Sequence, residues 1–301
     1  MIEKYALLIG ASAACLYGLS VVLKKIVFNN SDFESYNFTV FDTLIQSFSA
    51  IILVIVTKQH ILTNLSMIGL LSVAGFIYGV SIFIYNFVIN KDEASRASQL
   101  ASLETIVTPL FAILILNETP TSEQIIGISF VIAGIIVVTL EKDIFNLIRT
   151  AKFAVLPIFI ALIIWGVEDV MLKYALETQD VVFVYFWVRV SSFFTILIIS
   201  MLRSKSRDQV LDMVSDTRQF KIKLSFVASS IASVGLILTV YTYSLIDLSV
   251  ASPIVGSYPI FAVLFLYIVQ RNGYIEEENR EPVLKRVVSA SLFLIGIIVL
   301  T

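Results

Sequence analysis

A chain of 301 residues that is 58% apolar, 15% charged and has a mean hydropathy of +0.92 is too poor in charge for an ordinary soluble domain, where about a quarter of residues are charged. A formal net charge of −2 gives no reason to expect nucleic acid or another strongly charged partner. The single cysteine, Cys15, allows no intrachain disulfide and no thiolate metal site, and no cofactor is expected. What remains is an all-α integral membrane protein embedded in a lipid bilayer.

The N-terminal stretch, MIEKYALLIGASAACLYGLSVVLKK, is too long and ends too basic for a cleaved signal, and reads as a retained helix. Stretches of about 20 apolar residues are long enough to cross a bilayer. Ten such spans follow in order: Tyr5–Phe28, Tyr36–Thr57, Leu65–Ile89, Ala94–Leu116, Gln124–Leu140, Phe153–Ala175, Val181–Leu202, Leu224–Ile246, Leu248–Val269 and Leu284–Leu300. The longer polar stretches are Arg203–Lys223 and Arg271–Pro282, the second with the run Glu276-Glu277-Glu278 expected as a solvated turn. No GxxxxGK[ST] phosphate-binding stretch occurs, so any pumping is expected to be driven by a gradient or by a separate ATPase subunit.

The chain repeats itself. Leu16-Tyr17-Gly18-Leu19 with Lys25 matches Ile164-Trp165-Gly166-Val167 with Lys173 at an offset of 148. Ala97-Ser98 and Ser102-Leu103-Glu104-Thr105 lie over Ala251-Ser252 and Gly256-Ser257-Tyr258-Pro259 at an offset of 154. Gly134–Val138 matches Gly296–Leu300 at an offset of 162. Three matches in one order imply two five-span repeats, residues 1–150 and 151–301. An odd number of spans per repeat forces opposite orientations, the inverted-repeat architecture of many secondary transporters.

Of the 21 lysines and arginines, Lys4, Lys58 and Lys173 fall on the side of the two termini, Arg189 lies within a span, and the other seventeen fall on the opposite side. The positive-inside rule then places both termini outside the cytoplasm.

The segment Ala97–Gly134 carries a small-residue helix, the step Leu103-Glu104-Thr105, then Leu116-Asn117-Glu118 and Gln124-Ile125-Ile126-Gly127. With the aromatic-glycine pairs Tyr17-Gly18 and Trp165-Gly166, it resembles the drug/metabolite transporter superfamily, in particular its ten-helix EamA-type members. The resemblance covers nearly the whole chain. Thr105 stands where the family often has proline, which Pro259 keeps in the second repeat, and Asp42 sits near a position that is often basic. The resemblance implies export or exchange of small metabolites such as amino acids, a central site walled by spans one, three, four, six, eight and nine, and termini in the cytoplasm.

Span four is polar for a membrane helix, with Ser98, Gln99, Ser102, Glu104, Thr105, Thr108 and Pro109. Lipid does not tolerate that many polar groups unless they face protein or water, so this span is expected to line the substrate path, with Leu248–Val269 as its echo. Glu104 lies near the midplane, where an ionised carboxylate is costly, and it is the first candidate for ion coupling. The bland alternative is a structural acid bonded to a neighbouring helix. Ser98, Ser102 and Thr105 share one helix face, which suits either substrate contact or close helix packing. Pro109, Pro253 and Pro259 each remove a backbone donor, and broken helices in matching members of two repeats point to a binding site.

Glu168 and Asp169 point about 100° apart on their helix. Asp169 is expected to pair with Lys173 four residues on, a favourable order. Glu168 has no such partner and is the second candidate for ion coupling. Arg189, the arginine deep within a span, is expected either to hold a substrate carboxylate or to satisfy Glu104 or Asp42. Tyr17, Trp165 and Tyr258 lie mid-span and suit a pocket wall, whereas aromatics such as Tyr78 and Tyr241 also fit packing or interfacial roles. His60 is expected to be solvated.

The sequence therefore points to a gradient-driven, multi-pass carrier of the plasma or inner membrane, monomeric or homodimeric, moving a small-molecule substrate. The expected substrate site comprises Tyr17, Tyr85, Gln99, Ser102, Glu104, Trp165, Glu168, Arg189, Tyr243, Ser257 and Tyr258. Two other classes compete. A lipid-modifying membrane enzyme usually needs clustered Asp, His or Cys, and a passive channel needs a polar ring.

Overall fold

A computed structural model describes residues 2–29, 35–88, 102–139, 155–202, 220–271 and 283–301. They are helical almost throughout: α1 (Ile2–Asn29), α2 (Ser35–Thr57), α3 (Leu65–Val88), α4 (Glu104–Ile115), α5 (Ser122–Thr139), α6 (Val155–Leu176), α7 (Val181–Met201), α8 (Phe220–Leu245), α9 (Leu248–Val255), α10 (Tyr258–Arg271) and α11 (Val283–Leu300). Six spans are long and apolar enough to cross a membrane by length and composition: α1, α2, α3, α7, α8 and the α9–α10 pair. In hydrocarbon only a helix satisfies its own backbone, which is why these apolar runs have no other stable form. Side chains such as Ile55, Val56, Leu114 and Ile298 stay exposed on the outer faces. That surface suits lipid.

The expected ten-span, two-repeat architecture is present, with span nine in two pieces. The packing follows the duplication. α1 lies on α8 as α6 lies on α3, and α3 packs on α7 as α8 packs on α2. α1 meets the α9–α10 span as α6 meets α4, while α2 with α7, α4 with α9 and α5 with α11 each pair a helix with its counterpart. Nearly all the extensive helix pairs join one half of the chain to the other. The two halves interlock rather than sit side by side.

Glycines set the closest approaches. A Cβ on Gly18 would lie 2.7 Å from both the Ala262 nitrogen and Phe261 Cβ, so this position lets α1 touch the α10 backbone. Between α5 and α11, Ser289 Oγ donates to the Gly134 carbonyl at 2.6 Å, so small residues bring these helices into backbone contact.

The described connections lie on the face that carries the two termini, and all are short. Helix α4 ends at Asn117, whose φ of 56° turns the chain out of the helix, a conformation asparagine tolerates. Thr121 and Gln124 then start α5 with reciprocal bonds, Thr121 N–H to Gln124 Oε1 at 2.8 Å and Gln124 N–H to Thr121 Oγ1 at 3.2 Å. The α2–α3 connection is tied to the α6–α7 region by Gln59 Nε2 donating to Asp180 Oδ2 at 2.7 Å and Trp187 Nε1 to the Ile61 carbonyl at 2.9 Å.

A second tie closes the same face around the turn between α8 and α9. Both Glu118 oxygens accept from the first amides of α9, Leu248 and Ser249, each at 2.8 Å. Lys173 Nζ donates to the Tyr243 and Ile246 carbonyls at the end of α8, again at 2.8 Å each. An acid at a helix start and a base at a helix end both oppose the backbone dipole. Asp247, between the two, is pushed up from its ordinary pKa by partial burial and by Glu118, with Lys173 opposing.

Candidate functional site

A helix break in the second repeat meets a helix start in the first at the centre. Span nine is not the continuous helix expected for Leu248–Val269: it stops at Val255, turns through Gly256-Ser257 and resumes at Tyr258. In the first repeat the turn Ser102-Leu103 occupies the matching position and α4 starts at Glu104, so the described part of span four is helical only from there. Ser98, Gln99 and the rest of 94–101 lie outside the described residues.

The two turns have the same hydrogen bonding but different causes. Ile106 N–H reaches back three residues to Leu103 at 2.9 Å, and Ile260 N–H reaches back to Ser257 at 3.0 Å. In the second repeat Pro259 has no N–H to continue the helix. In the first, the Ser102 carbonyl accepts from both Thr105 N–H at 3.3 Å and Thr105 Oγ1 at 2.7 Å. The two segments also touch: a Cβ on Gly256 would collide with Thr105 Cγ2, so only glycine fits there without displacement. Pro109 and Pro253 lie inside α4 and α9, away from the turns.

Charged groups gather around this contact. Arg189 on α7 pairs with Glu168 on α6 at 3.3 Å, with both side chains almost fully buried. Its guanidinium carbon lies 4.6 Å from the centre of the Tyr78 ring, and Nη1 reaches Gln46 Oε1 at 3.5 Å. Gln46 Nε2 in turn donates to Asp42 Oδ2 at 3.0 Å, and Lys24 meets the same oxygen at 3.1 Å. This corrects two expectations. Glu168 has a partner, and that partner is Arg189, which was expected to serve a substrate, Glu104 or Asp42; α6 and α7 carry the two charges to the same depth.

Asp169 is a third correction. It does not pair with Lys173, which is held by the α8 carbonyls. Its Oδ2 instead lies 3.4 Å from both Thr108 Oγ1 on α4 and the Tyr243 hydroxyl on α8. Four residues of separation permitted the local pair, but unsatisfied carbonyls at a helix end are strong competitors for an ammonium.

Glu104 begins α4 half-buried, within electrostatic reach of Asp169 and Glu168. Tyr85 and Tyr258 also lie within its field. The aromatic rings pair across helices: Tyr17 with Tyr258 at 6.2 Å between centroids and Tyr85 with Trp165 at 5.5 Å, edge to face. Tyr17, Tyr85, Tyr258 and Glu104 all keep some accessible surface although they face one another from α1, α3, α10 and α4. Trp165 is 7% exposed, and its indole nitrogen has no hydrogen-bond partner among the described residues.

The remaining candidates are structural in their visible bonds. Ser257 is fully buried at the second turn, its hydroxyl donating to the Ile254 carbonyl at 2.6 Å. Ser102 is buried at the first turn. Tyr243 is buried beside Asp169. His60 is exposed in the α2–α3 connection. The sequence reading gave Gln46, Thr108 and Tyr78 no place in this network. Gln46 was detectable from its spacing of four from Asp42, whereas Thr108 and Tyr78 depend on which helices meet.

Among the described residues no group of three or more His, Cys, Asp or Glu is arranged to hold a metal ion. What the geometry defines is a pair of interlocked helix repeats whose fourth-span start and ninth-span break meet among acids and aromatic rings. The model of the EamA-like transporter family matches residues 4–140 and again 152–301. The chain therefore belongs to the EamA-like transporter family, within the drug/metabolite transporter superfamily, and is a multi-pass membrane protein. An uncharacterized protein of Methanocaldococcus jannaschii is 30% identical over 147 residues, spanning 46% of this chain and 98% of the relative, so that relative is about as long as one half. A solved crystal structure shares the fold with a TM-score of 0.73 at 14% identity, over 99% of this chain and 96% of the other.

Proposed function

We propose that the chain is a secondary active transporter of a plasma or inner membrane that works by alternating access and exports or exchanges small metabolites such as amino acids. The observation that supports this most is the contact between Thr105 and Gly256, with α4 starting at Glu104 and α10 at Tyr258 beside it. Interrupted helices in corresponding members of two repeats are where secondary transporters bind their substrates. Around it, Tyr17, Tyr85 and Trp165 form the walls, Arg189 holds Glu168 in place, and Tyr243 holds Asp169.

Glu104 is the first coupling group and Glu168 the second. Glu168 is tied up by the Arg189 guanidinium at 3.3 Å, whereas Glu104 has no ion-pair partner among the described residues and keeps some accessible surface. That difference in pairing and access favours Glu104 as the group that exchanges a proton.

The test is a proteoliposome uptake screen of small metabolites with and without a pH gradient. Gradient-dependent accumulation is expected from the wild-type chain, and Glu104→Gln is expected to keep the fold while losing the gradient dependence. Normal pH-driven flux in that variant removes Glu104 from the mechanism. Lipid turnover without solute flux sinks the transport reading altogether.

A further inference from the structure

Among the described residues the charges at the centre do not balance. Glu104, Glu168 and Asp169 lie within one another's fields, and the guanidinium among them, Arg189, is bound to Glu168. Two described lysines are engaged elsewhere, Lys173 on two backbone carbonyls and Lys24 on Asp42. Two acids, Glu104 and Asp169, are thus left facing neutral hydroxyls and aromatic rings. A second, independent observation also points to a ligand. Trp165 lies one helical turn from Asp169, is 7% exposed, and has an indole N–H with no acceptor among the described residues.

We infer that the ligand of this site is a cationic amine with a neutral hydrogen-bond acceptor close to its ammonium group and an aromatic or apolar body, rather than a zwitterion or an anion. This rests on the transport reading above and narrows its small metabolites to amines, in place of the zwitterionic amino acids that the family resemblance suggests. The ammonium goes to Glu104 and Asp169, where it supplies the missing positive charge. The acceptor oxygen goes to the Trp165 indole. The body packs on Tyr17, Tyr85 and Tyr258, whose ring faces also attract a cation. Among the described residues an α-carboxylate has no accessible cation to meet, because the Arg189 side chain, although its Nε has no partner there, is closed in by Glu168, Gln46 and Tyr78 and the residue is 2% exposed. It would also add negative charge to an acidic site.

Three ligands of one shape and different charge decide the matter: phenylalanine amide as the cation, phenylalanine as the zwitterion and phenyllactate as the anion. Trp187→Phe leaves Trp165 as the sole tryptophan, and its fluorescence reports binding to the purified full chain. The amide is expected to bind at least about tenfold more tightly than phenylalanine, as one unscreened charge in a low-dielectric site allows. Asp169→Asn and Glu104→Gln should each shrink that ratio. Counterflow in proteoliposomes should rank the three ligands in the same order.

A preference for phenylalanine or phenyllactate overturns the inference and leaves the transport reading standing. No Trp165 response to any of the three also overturns it. No flux of any solute in the wider screen removes the transport reading itself. The ranking is read on unmutated acids, so a variant that fails to fold does not decide the outcome.

Discussion

Two helix starts at matching positions differ in chemistry. In one, α4 begins at Glu104 after the turn Ser102-Leu103; in the other, α10 begins at Tyr258 after the turn Gly256-Ser257. A threonine hydroxyl adds a bond to a carbonyl on one side, and a proline withholds a donor on the other. The geometry is therefore held by two separate devices, which left the next residue free to differ. One repeat contributes an acid and the other an aromatic ring.

The largest test of that contrast is the charge network that the acids share. Arg189→Ala leaves Glu168 buried without a partner and is expected to destabilise the protein by about 3–5 kcal/mol, visible as a lowered melting temperature in detergent. Gly256→Ala comes next. Its new methyl group meets Thr105 Cγ2, for a cost of about 1–3 kcal/mol, and Thr105→Ser in the same chain should recover most of it by removing that methyl while keeping the hydroxyl. Loss without rescue would mean that the two spans do not meet in this way.

Glu118→Gln removes a charge-assisted cap from α9 and should cost about 1–2 kcal/mol, read as faster amide exchange at Leu248 and Ser249. The smallest effect is expected from Pro259→Thr, which gives the second repeat the residue of the first. If a threonine hydroxyl can hold this turn as Thr105 does, stability should change by less than about 1 kcal/mol, and a larger loss would show that the proline is needed.

Much of this was legible before any coordinates. The apolar runs gave the spans, and the offset of 154 put the two turns in register, because a duplicated backbone keeps its irregularities along with its helices. The glutamate–tyrosine exchange across that offset was also readable. Partnerships were not. The spacing of Asp169 and Lys173 suggested a local pair, but spacing along one helix cannot weigh the carbonyls at the end of α8 or the hydroxyls of Thr108 and Tyr243. Glu118 stood in a motif with no evident duty, because its duty lies on a helix start 130 residues further along.

The interlocking of the two halves bears on how the chain is made. Synthesis delivers α1 to α5 first, yet α1 has its main neighbours in α8 and α10, α3 in α6 and α7, and α5 in α11. Until the second half is inserted, the first has few partners of its own, and the buried Gln46 keeps its bond to Asp42 but lacks its donor Arg189. The charged network at the centre is then also the signal that assembly is complete, since Arg189 and Glu168 arrive late and bring with them the contacts that Gln46 lacks. A ribosome stalled after the fifth helix should leave a product that is inserted, unpacked and quickly degraded.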